Sequence, residues 1–118
     1  MGERNRHRSE NDIVASILSV MADRSMKKTR IMYGANLSYT LLMKYLHRLL
    51  TCGLVAYVED RKIYMLTGAG RRFLEEYAEL KSLESRLLQY SERFEDKQSA
   101  LAQMLSAGSD RERLARPI

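Results

Sequence analysis

Apolar residues recur at helical spacing in three stretches before residue 53 and at strand-like spacing after it. Ser9 followed by Asp12 has the spacing of a capping box, and Ile13, Ile17, Leu18 and Met21 then line one face, predicting a helix over residues 10–23. Thr29 is suited to cap a short helix over 30–35 that turns Ile31 and Met32 inward and ends near Asn36, a residue tolerant of left-handed geometry. Ser38 caps the next, 39–52, whose stripe is Leu42, Tyr45, Leu46 and Leu49 and whose stop is Gly53. Residues 54–59 and 62–66 are β-branched and aromatic runs separated by Asp60 and Arg61, the pattern of a short hairpin. Thr67 caps a further helix, Gly68 and Gly70 flank its first turn, and residues 71 to about 107 contain neither proline nor glycine.

Three helices followed by a hairpin make a winged helix-turn-helix, so the fold class is mainly α with a small β-hairpin, extended by a long C-terminal helix. With Phe73 at heptad position a, Leu80, Leu87, Phe94 and Leu101 follow at a, and Leu83, Tyr90 and Met104 occupy d together with Glu76 and Lys97. A seam of this kind needs a cover, which predicts a homodimer through a coiled coil. Glu76 and Lys97, near opposite ends, favour the antiparallel arrangement. The alternative is that Phe73, Tyr77 and Leu80 pack on the winged helix and the rest folds back or frays. The domain reading is a disordered basic arm (1–8), a DNA-binding unit (9–72), a dimerisation helix (73–107) and a flexible tail (108–118).

Charge sharpens this division. The chain of 118 residues carries 20 Lys and Arg against 15 Asp and Glu, a net charge of +5. Residues 1–72 hold 13 basic and 6 acidic side chains, a balance of +7, whereas 73–107 hold 4 and 7, a balance of −3. One segment is therefore built to meet an anion and the other for a different task. The N-terminus has no apolar leader and no stretch is long and apolar enough for a membrane span, so the expected location is cytoplasmic and nucleoid-associated. A single cysteine and two histidines leave no disulfide and no metal cluster, and no metal or cofactor is expected.

In a helix-turn-helix the second helix of the pair enters the major groove. Its face opposite the apolar stripe carries Thr40, Met43, Lys44, His47 and Thr51, with Arg48 at the margin. Lys44, His47 and Arg48 are suited to phosphate or guanine, Ser38 and Thr40 to a phosphate at the helix N-terminus, and Tyr39 is counted with them among the DNA-binding residues. Lys27, Lys28 and Arg30 cluster where the preceding helix crosses the backbone, and Arg61 and Lys62 form the tip of the wing. Arg4, Arg6 and Arg8 form a basic arm suited to non-specific affinity. Other features carry less: Gly68-Ala69-Gly70 lacks the remainder of a phosphate loop, and His47 and Cys52 have no acid or base at usable spacing. Tyr33, Tyr45, Tyr64 and Tyr77 read as core residues with wet hydroxyls. No catalytic constellation is visible, and the chain is expected not to be an enzyme.

The run from Thr29 through Met32-Tyr33-Gly34-Ala35-Asn36-Leu37-Ser38-Tyr39 to Gly53-Leu54, with Tyr64, Leu66, Thr67 and Gly70 after it, resembles a group of small archaeal winged-helix proteins. The group includes predicted transcriptional regulators and ten-kilodalton dimeric DNA-binding chromatin proteins whose long helices pair as an antiparallel coiled coil. The resemblance spans residues 9–105 and implies a winged-helix dimer that binds double-stranded DNA. The rival reading is a protein-interaction module in which the winged helix is a scaffold and the long helix recruits a partner.

Overall fold

The computed structural model describes residues 8–114, with side chains over 8–108. Three helices, α1 (Glu10–Val20), α2 (Lys28–Ala35) and α3 (Tyr39–Cys52), precede the strands β1 (Val55–Val58) and β2 (Ile63–Leu66) and the long helix α4 (Gly68–Leu114). This is the winged helix-turn-helix with a long C-terminal helix that the sequence predicts. The described residues form two compact units, divided between Glu79 and Leu80.

The core of the first unit is the set of apolar stripes. Ile13, Ile17, Leu18 and Met21 meet Ile31 and Ala35 of α2, Leu42, Tyr45, Leu46 and Leu49 of α3, and Val55 and Leu66 of the hairpin. Phe73 and Leu74, in the first turns of α4, pack against the same cluster. The strands pair antiparallel from Val55↔Leu66 to Val58↔Ile63, and Lys62 closes the turn in the left-handed conformation (φ 56°), a position usually given to glycine.

The local signals hold where they are strongest. Ser9 and Asp12 make the reciprocal capping box, the Ser38 hydroxyl accepts from the amide of Leu41, and Asn36 and Gly53 end α2 and α3 in the left-handed region. Three helix boundaries differ from expectation. α1 stops at Val20 rather than near 23, because Met21 and Ala22 form tight bonds to the carbonyls of Leu18 and Ser19. That turn lets Met26 exchange both backbone hydrogen bonds with Tyr64 (3.0 and 2.8 Å) as a third strand partner. Lys27 is thereby extended and becomes the N-cap of α2, so the helix starts at Lys28, before the expected Thr29 cap, and lacks a side-chain cap. α4 starts at Gly68 and continues through Gly108 to Leu114, past the expected stop near 107. A glycine within a helix costs only about 1 kcal/mol and does not terminate it without a left-handed cap.

Thr67 fixes the start of α4: its hydroxyl accepts from the Gly70 amide (3.0 Å) and donates to the Gly53 carbonyl (2.7 Å), tying the long helix to the end of α3. Gly70 is buried there for want of room. A Cβ on it would lie 2.3 Å from the Leu54 carbonyl oxygen and 2.4 Å from a Leu66 methyl. Because the nearer atom is backbone and cannot rotate away, Gly70→Ala is expected to destabilise the first unit by about 1–3 kcal/mol. Urea unfolding of the variant checks this, with Gly68→Ala, where the space is open, as the neutral control.

Candidate nucleic-acid interface

The polar face of α3 follows from its apolar one. With Leu42, Tyr45, Leu46 and Leu49 committed to the core, Tyr39, Thr40, Lys44, His47 and Arg48 are exposed, and Met43 is half-buried among them. The Lys44 ammonium lies 5.6 Å from the centre of the Tyr45 ring. Thr51 donates its hydroxyl to the His47 carbonyl, so it serves the helix C-terminus. At the start of α3, Ser38 uses its oxygen as an acceptor for the cap, which leaves its hydroxyl proton available to an incoming anion.

α2 brings its cations to the same end of α3. The Lys28 ammonium sits 5.4 Å from the Tyr39 ring centre and 3.5 Å from its hydroxyl, joining the first turns of the two helices. Lys27 and Arg30 are exposed and form a shared wall of two shallow grooves: one is completed by Thr29 and Tyr33, the other by Arg24, Ser25, Met26 and Ile63. The second groove runs from α2 to the first residue of β2, next to the hairpin turn that carries the exposed Arg61 and Lys62. Among the described residues, Lys27, Arg30, Lys44, Arg61 and Lys62 have no carboxylate partner.

Two expected contacts look different in the fold. Arg48 is ion-paired with Glu10 across 38 residues of sequence, and that carboxylate's hydrogen bond and charge raise the guanidinium pKa. Arg8 is not part of a free arm: its guanidinium donates to the Ala35 carbonyl (3.2 Å) and to the Ser16 hydroxyl, pinning the chain before α1 to the end of α2. Arg4 and Arg6 lie outside the described residues.

Tyr33 is corrected from a core residue to an exposed one, 74% accessible, whereas Tyr45 is buried and Tyr64 is half-buried against Tyr57 (ring centres 4.8 Å apart). Tyr77 is half-buried and donates its hydroxyl to Asp12 (2.5 Å). Arg24, Tyr33 and Glu10 are the features of this face that sequence reasoning missed. Glu10 gains its place from Arg48, 38 residues away, and Arg24 shares its groove with Ile63 of β2, whereas Tyr33 is placed by its own helix beside Lys27, Thr29 and Arg30. Among the described residues no group of three or more potential metal ligands comes together.

In the second unit Leu80, Leu83, Leu87, Tyr90, Phe94, Leu101 and Met104 are exposed, between 39% and 68% accessible. Phe73 differs, being half-buried against the first unit's core. Leu88 and Leu105 are exposed apolar residues outside the heptad positions. No helix among the described residues is long and apolar enough to cross a membrane.

A three-helix core, a two-stranded wing and an exposed basic second helix define the class of winged helix-turn-helix proteins. The chain belongs to the winged helix-turn-helix family, whose sequence model matches residues 7–85. It is similar to Sso10a-2, a DNA-binding protein from Sulfolobus solfataricus, with 27% identity, a TM-score of 0.65, and coverage of 75% of this chain and 95% of that one. It also shares its fold with the MarR family transcriptional regulator SPO1453 from Silicibacter pomeroyi DSS-3, with 21% identity, a TM-score of 0.50, and coverage of 74% and 64%. No curated protein matches the sequence.

Proposed function

We propose that this chain binds double-stranded DNA as a homodimer and serves as a transcriptional regulator or chromatin-organising protein, associated with the nucleoid in the cytoplasm. The reading is non-enzymatic and requires no cofactor. The observation that carries it is the set of exposed cations with no carboxylate partner among the described residues, Lys27, Arg30, Lys44, Arg61 and Lys62, spread over α2, α3 and the wing. Those are the elements a winged helix applies to a duplex, with Thr40 and His47 facing the groove from α3, Lys44 at its phosphate edge, and the other four cations on phosphates. The likeness to a DNA-binding protein over most of both chains supports it.

The homodimer rests on the apolar positions of α4 beyond Leu80. Soluble proteins rarely leave so many large apolar side chains on one helix uncovered, and a second copy offers the complementary stripe. Antiparallel pairing sets Glu76 of one helix towards Lys97 of the other.

The test is binding to a random-sequence duplex between about 50 and 200 mM salt. If these five cations each neutralise a phosphate, the log-log slope per winged helix is about −4.5. A steep slope with two chains per site supports the dimeric DNA-binding reading. No binding, or a flat slope, favours the interaction module.

A further inference from the structure

Arg48 lies one turn beyond Lys44 on the exposed side of α3, where an arginine facing DNA would meet a phosphate or a guanine edge. Instead its guanidinium donates to the carboxylate of Glu10, the first residue of α1. Glu10 is not needed to cap that helix, since Ser9 and Asp12 make both bonds of the capping box (3.1 and 3.3 Å). Both partners are also open to water, with side chains 58% and 51% accessible, so the pair is neither a core element nor sealed against an incoming ligand.

A carboxylate against a guanidinium reproduces the two-oxygen acceptor that a phosphate offers. We propose that Glu10 is an internal stand-in for a DNA phosphate: it occupies Arg48 in the free protein and must be displaced before that arginine joins the duplex. The inference rests on the DNA-binding reading and deepens it. Its consequence is a brake on indiscriminate binding. Lys44 attracts any duplex, whereas Arg48 contributes only where the docked geometry brings a phosphate close enough to outcompete an exposed ion pair. Such pairs are weak, so the exchange is within reach of one backbone contact.

The experiment measures random-duplex affinity and its salt slope for the full chain and for Glu10→Gln, Arg48→Gln and the double variant. Glu10→Gln is expected to tighten binding about two- to fivefold and to steepen the slope by about 0.9, the increment for one more phosphate. In the Arg48→Gln background the same change is expected to do neither. Equal tightening in both backgrounds reduces Glu10 to a general charge and overturns the proposal. So does weaker binding by Glu10→Gln, which makes Glu10 a support that holds Arg48 in its binding position. In both cases the DNA reading stands, because the unaltered chain binds. Failure of all four proteins to bind overturns that reading and this proposal together.

Discussion

Replacing Lys27, Arg30 and Lys44 together by glutamate is expected to weaken duplex binding by about a hundredfold or more and to flatten the salt slope by about 2.7, the share of three phosphate contacts. The three side chains are exposed and have no carboxylate partner among the described residues, so removing them breaks no ion pair and opens no cavity. The unfolding midpoint should therefore stay within a few degrees of the parent, which separates lost binding from lost fold. Reversal is more informative than neutralisation, since each glutamate replaces an attraction with a repulsion at the position where a phosphate is expected. Arg48 is left out because its charge is already answered by Glu10. If the triple variant bound with the parental slope, the duplex would have to lie elsewhere than on α2 and α3.

What the sequence discloses of this interface is the part governed by short-range chemistry. The Leu42, Tyr45, Leu46 and Leu49 stripe, the Ser38 cap and the Gly53 stop lie within sixteen residues, and together they define α3 and its polar face. That the apolar side chains of α4 beyond Leu80 stand exposed is similarly legible, because they lie on one continuous helix with no interior proline. What is not legible depends on pairs remote in sequence. The end of α1 and the start of α2 follow from the Met26–Tyr64 exchange, which needs β2 to be in place. Gly70 is constrained by a carbonyl sixteen residues earlier, and Gly34 by Val20, whose methyl would lie 2.7 Å from an added Cβ. Arg48 and Glu10 carry opposite charges, yet nothing in their local context announces that they meet.

Introducing Leu87→Glu and Phe94→Glu together is expected to convert a dimer into monomers at micromolar concentration, as sedimentation equilibrium reads directly. Both residues occupy a positions of the heptad pattern and are 67% and 52% accessible in the single chain. Burying an apolar side chain of this size is worth about 1.5–3 kcal/mol. Symmetry removes each one twice, and scaled by those accessibilities the loss is about 3.5–7 kcal/mol, several hundredfold or more in the dissociation constant before repulsion between the new carboxylates is counted. Leu88→Glu is the control: Leu88 is 62% accessible, similar to Leu87, but lies about 100° further round the helix, off the seam. The pair of variants therefore distinguishes a defined stripe from generic hydrophobicity. Loss of the dimer should also reduce helicity in the second unit, since a helix deprived of its packed face is marginal in water. A dimer that survived Leu87→Glu and Phe94→Glu but not Leu88→Glu would move the seam by one residue. One that survived both would move the contact off α4 altogether.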